Sequence, residues 1–157
     1  MLETQNIALP NAEFIPQIIQ LLQEGHSVTL SLRGFSMRPF LEDRRDSALL
    51  RKADSPKVGE PVLAEVAPAT FVLHRIVSIK GQQVTLLGDG NLTPEHCRLE
   101  DIHAQAIGFY RKGRTTLDPI AGRKWRTYSW VWMHLYPVRR YLLAAYRRIW
   151  IPLFGAL

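Results

Sequence analysis

The sequence holds one cysteine, Cys97, so no internal disulfide can staple the chain and its fold must rest on packing and hydrogen bonding. It has no glycine-rich phosphate loop and no internal repeat, which sets aside the nucleotide-binding and solenoid classes. The opening "MLETQNIALPN" shows neither a basic flank nor an apolar run, so it does not read as a secretory leader, and the amino terminus is expected to be cytoplasmic. Acid is nearly missing from the last third. From Arg111 onward ten Lys and Arg residues face a single acid, Asp118, so the excess positive charge behind the net +6 lies there.

What is present suits a single globular unit. With 157 residues and 46% apolar content the chain can bury a core. Phe14, Ile15, Ile18, Ile19, Leu21 and Leu22 recur at mostly helical spacing behind Asn11, which predicts a capped helix over 11–24 that stops at Gly25. Short β-rich runs follow at 28–32, 47–50, 61–66, 71–79, 83–87 and 104–110, separated by Gly, Pro, Asp or Asn. The expected architecture is mainly β: a helical segment over 1–27, a twisted antiparallel domain over 28–112, and a linker with a helical tail over 113–157.

The tail is amphipathic. A helical projection places Arg139, Arg140, Arg147 and Arg148 on one half, and Leu135, Val138, Tyr141, Leu142, Ala145, Tyr146, Ile149 and Leu153 on the other. Two Arg-Arg pairs, Pro137 and Pro152 interrupt it, so it lacks the run of about 20 apolar residues that a spanning helix needs. Residues 125–157 are read either as an in-plane membrane contact at the inner face, or as a helical cap on the β domain or on a second copy in a homo-oligomer. No recognition fold accompanies the charge, so nucleic acid is not expected as a partner.

Chemistry concentrates in "LRGFSMRPFL", where Ser36 stands between Gly34-Phe35 and Met37, with Pro39 beyond. A turn would use such residues too, and a hydroxyl becomes a nucleophile only when a base takes its proton. "FVLHRIVSI" supplies a candidate base, with alternation putting Val72, His74 and Ile76 on one face and Leu73, Arg75 and Val77 on the other. "LLGDGN" places Asp89 in a turn after the next strand, where a plain hairpin is the simpler reading of that residue alone.

Taken together, "GFSMRPFLEDRRDSALLRK", "VLHRIV", "LLGDGN" and "EDIHAQAIGFY" resemble, in order and spacing, the serine peptidase superfamily that contains signal peptidase I and the LexA-like self-cleaving repressors. The resemblance runs from about Val28 to Tyr110 and includes Asp46 leading into an apolar strand. His74 is similar to the histidine of the Ser-His branch, found in archaeal and endoplasmic-reticulum signal peptidases, rather than to the lysine of most bacterial members. The resemblance implies a signal-peptidase-like β fold with Ser36 as nucleophile, His74 as general base, and Asp89 as the acid that orients the imidazole. Asp101 is the second candidate for that last role and Glu95 the third. An imidazole, with an ordinary pKa of about 6.5, accepts a proton near neutrality with little tuning.

The implied substrate is a peptide or protein bound extended along a strand edge, with Gly34, Phe35, Met37 and Pro39 around it, small side chains beside the scissile bond, and no cofactor or metal. A leader or signal segment is the expected class. Gly34 stands where signal peptidases carry a hydroxyl, and Phe35 is larger than their usual glycine, which motivates an alternative: a catalytically inactive peptide-binding or membrane-associated adaptor with the same fold. A self-cleaving repressor fits poorly, because no Ala-Gly pair precedes Ser36 and Ala121-Gly122 follows the catalytic region. His96, Cys97, Asp101 and His103 offer a rival reading as a metal set, but their spacing matches no common zinc template.

Overall fold

The computed structural model describes residues 11–157, with side chains from Glu13 onward; the opening residues read as lacking a leader, and the Asn11 side chain read as a cap, lie outside that description. Helix α1 spans Asn11–Gln23. Its Ile15, Ile18 and Leu22 lie three and four residues apart and are buried, while Pro16, Gln17 and Gln20 face solvent. The helix ends where expected. Gly25 at φ +92° lets its own N–H reach Leu22 O and the His26 N–H reach Leu21 O, each at 3.1 Å, a left-handed stop that a β-carbon would strain.

The fold is mainly β. Strands β1 Val28–Ser31, β2 Ser47–Lys52, β3 Pro61–Ala67, β4 Thr70–Lys80, β5 Gln83–Leu87, β6 Glu95–Arg98, β7 Ile102–Tyr110 and β8 Leu117–Pro119 form one sheet. The order is β1-β2-β7-β3-β4-β5-β6, with β8 also on β7, and every pairing is antiparallel. Register shifts at Leu49/Leu50, Leu63/Ala64, Glu65/Ala67 and Ile76/Ser78 bend the strands and let one sheet serve two cores. One core joins α1 to Leu32, Met37, Leu41, Leu50, Ala104 and Phe109; the other holds Val62, Ala64, Ile76, Val84, Leu86 and Ile102.

Strands β6 and β8 were not expected. The first reads "EHCR" and the second is three residues long, so neither carries an apolar pattern. Backbone pairing to β5 and β7 builds them instead, and β6 closes the sheet with the charged side chains typical of an edge.

The tail is helical: α2 Arg123–His134, a tight turn at Tyr136–Val138, α3 Arg139–Ala145, a π turn at Tyr146–Trp150, and α4 Ile151–Phe154. No described helix is long and apolar enough to cross a membrane. The projected faces need correction. Of the eight side chains expected on the apolar half only Tyr146 is buried, while Arg139, expected on the polar half, is 1% exposed. Its guanidinium stacks over Trp132 and Tyr136, at 5.1 and 5.3 Å, and donates to Trp132 O at 3.1 Å, so aromatic faces replace water around part of the charge.

Candidate active site

Ser36 sits in a loop closed at its base by two backbone bonds, Leu32 N–H to Asp46 O at 2.9 Å and Arg44 N–H to Leu32 O at 3.0 Å. Asp46 is the clasp. Its buried carboxylate accepts the N–H groups of Glu42 and Lys112, both at 2.9 Å, and both arms of the Arg45 fork at 2.8 Å. Burial alone would raise the Asp46 pKa, but these donors, Arg45 first, outweigh it and hold the group below its ordinary range. Asp43 and Glu42 fix the turn further by accepting from Gly34 N–H at 2.7 Å and from Arg38 at 2.6 and 2.8 Å.

His74 lies on β4 opposite Val62 and is 3% exposed. Its Nδ1 is 2.6 Å from Glu95 Oε2, a carboxylate delivered by edge strand β6. A neutral imidazole that donates its Nδ1 proton to Glu95 carries its lone pair on Nε2. That side of the ring meets the serine loop. A β-carbon added at Gly88 would stand 2.5 Å from Ser36 O, 2.8 Å from Asn91 Nδ2 and 3.0 Å from His74 Nε2, so only glycine lets these three groups converge. Gly90 is needed for the same closeness, since its N–H donates to Ser36 O at 2.7 Å and a β-carbon there would lie 2.5 Å from Phe35 O. The Gly-Asp-Gly stretch is therefore a cradle for the serine loop more than a hairpin signal.

Ser36 and His74 line one cavity of about 370 Å³, walled by Ile15 of α1, Leu30–Leu32, Phe71–Leu73 and Glu95. Among the described residues no hydrogen bond of 3.5 Å or less joins Ser36 Oγ to His74, so the pair shares a groove without the direct contact expected of a nucleophile and its base.

Asp89, the first choice as orienting acid, is committed elsewhere. It is fully buried and takes a two-armed bond from Arg75 at 2.7 and 2.8 Å, a third from Tyr128 Oη at 2.7 Å, while its backbone oxygen accepts from Trp132 Nε1 at 3.0 Å. Arg75 also donates to Gly59 O and Ser129 Oγ. Burial would lower the Arg75 pKa, yet Asp89 more than compensates and the net shift is upward; burial and the same carboxylate push the Tyr128 hydroxyl well above its ordinary value. Asp101 is not near the imidazole network either: its Oδ2 accepts from Arg98 N–H at 2.7 Å and caps the short turn Leu99–Asp101.

Of the expected substrate contacts, Gly34 and Met37 line the cavity. Phe35 and Pro39 do not. Phe35 is 55% exposed under the Arg38 guanidinium, and Pro39 borders a separate hollow with Phe40, Arg111 and Tyr128. Among the described residues no three His, Cys, Asp or Glu side chains gather as a metal site requires; His96 approaches Thr85 Oγ1 at 3.3 Å and His103 approaches Glu65 at 3.9 Å. Glu95, third among the candidate acids, and Asn91 are the site residues that motif order underrated; no local pattern marks Glu95, whose place depends on the register of β6 beside β5.

No family model matches the chain, and no curated protein matches it.

Proposed function

We propose that the chain is a serine endopeptidase in which Ser36 attacks, His74 acts as general base and Glu95 orients the imidazole. One observation carries this reading: the ring is held at Nδ1 by Glu95 at 2.6 Å while its Nε2 and the Ser36 backbone meet across Gly88 at one cavity. Ser36 Oγ adds to the scissile carbonyl as its proton passes to Nε2, and the imidazolium, stabilised by Glu95, returns that proton to the leaving amine. Water then attacks the acyl-enzyme by the same base, restoring the serine. The Ser36 N–H and the Asn91 amide are the donors available for the oxyanion.

The groove suits an extended peptide. Among the described residues β1 pairs only with β2, and β5 joins β4 only from Arg75 onward, so β1 and Phe71–Leu73 each leave one backbone edge open on the cavity. A leader segment with small side chains at the scissile bond is the substrate class. A fluorophosphonate probe tests the reading: wild type is expected to be labelled, Ser36→Ala not at all, and His74→Ala at least about 10²-fold more slowly. Absence of labelling in folded wild type, or equal labelling of Ser36→Ala, would overturn Ser36 as the nucleophile.

A further inference from the structure

Segments α3, the π turn and α4 form one helical rod from Arg139 to Phe154, since the residues at both junctions keep right-handed helical dihedrals. The rod has two apolar rows. One, Leu143 and Tyr146 beside Arg139, is buried. The other, Tyr141, Leu142, Ile149 and Leu153, recurs at the spacing of a single helical stripe and is open, with Tyr141 at 63%, Ile149 at 60% and Leu153 at 68% exposure. Eleven of the fifteen large exposed hydrophobic side chains among the described residues lie between Trp130 and Leu157, so the open apolar surface is concentrated here. Arg140, Arg147 and Arg148 stand exposed on the same rod, and the sequence has no acid after Asp118.

We propose that this stripe docks in the plane of an anionic lipid bilayer, with its apolar side chains at the acyl boundary and Arg140 and Arg148 on lipid phosphates. Charge selects the occupant. A second copy would bring the same acid-free cationic strip against this one, like against like. A bilayer surface supplies both halves of the match at their proper depths: phosphate for the guanidinium groups, and an interfacial layer for Tyr141 and Trp150. Docking also places the Ser36 loop near the headgroups. Leu143, Tyr146 and Arg147 line a cavity of about 260 Å³ with Phe35 and Ser36, so roughly one helix diameter, about 10 Å, separates that loop from the lipid.

The inference does not depend on catalysis, so the full chain carrying Ser36→Ala serves for the test. Vesicles of phosphatidylcholine with phosphatidylglycerol are mixed with the protein, and binding is read by co-sedimentation and tryptophan fluorescence. Binding is expected to weaken steeply with salt and to drop by about tenfold or more on phosphatidylcholine alone. The triple change Tyr141→Ser, Ile149→Ser and Leu153→Ser, at exposed positions, should abolish it while circular dichroism stays unchanged. Replacing Arg140 and Arg148 by Gln should weaken it by about 25-fold, roughly fivefold for each charge. Failure of the wild-type chain to bind the anionic vesicles, unchanged binding after the triple substitution, or sedimentation as a stripe-dependent dimer in place of vesicle binding would overturn the proposal.

Discussion

Strand β4 carries two neighbours, His74 and Arg75, that point to opposite faces, are both buried, and each meet one carboxylate. On one face the His74–Glu95 pair borders a groove, with the Glu95 side chain 33% exposed; on the other the Arg75–Asp89 pair has no exposure at all. The same pairing of base and acid thus does two jobs. A fully buried carboxylate gripped by an arginine fork and a tyrosine is fixed on the face away from the imidazole, and serves as a rivet between the Gly-Asp-Gly cradle and helix α2. The Glu95 carboxylate, on an edge strand, instead holds its ring at the side of a groove.

The largest effect should come from breaking the closed face. Arg75→Met leaves Asp89 buried without its counter-charge and is expected to cost about 3–5 kcal/mol in urea unfolding; a loss under about 1 kcal/mol would mean that the rivet is not structural. Next comes the open face. Glu95→Gln is expected to slow acylation by the probe roughly 10²-fold while unfolding changes by less than about 0.5 kcal/mol. If the acylation rate is unchanged, Glu95 does not act through His74 and the contrast between the faces fails.

The smallest change near neutrality is the pH response of the native protein, to which Asp46 contributes by closing the loop that brings Ser36 to the His74 side. Its folded pKa lies below the ordinary 3.8, so the stability it contributes is complete above that value and is lost as pH falls through the lower folded one. The melting temperature should therefore move little between about pH 7 and 5, and then fall below about pH 4 with a shallower slope in Asp46→Asn. Equal slopes in the two proteins would remove Asp46 from the acid response.

Much of this was legible from periodicity and punctuation. The spacing of Ile15, Ile18 and Leu22 with Gly25 behind them specified α1 almost to the residue, and the apolar runs marked six strands, including the one that holds His74. Burial of one face leaves such a pattern because each side chain answers to its own local surroundings. Asp89 was misassigned because "GDGN" reads the same whether its carboxylate serves a histidine or an arginine, and the choice depends on Tyr128 and Trp132 arriving from a helix some forty positions away. The tail faces were misjudged for a related reason: a projection ranks side chains by polarity and is blind to Trp132 and Tyr136, which make a buried place for Arg139.

The sequence alone determined helix α1, six of the eight strands and the cationic character of the tail, since each depends on residues close along the chain. Tertiary structure alone decided which acid faces His74, which arginines are buried, and which apolar row of the last helix is left uncovered. Those outcomes depend on strand register and on helix docking. Both bring distant residues to within 3 Å of each other, and no property of either residue by itself announces the other.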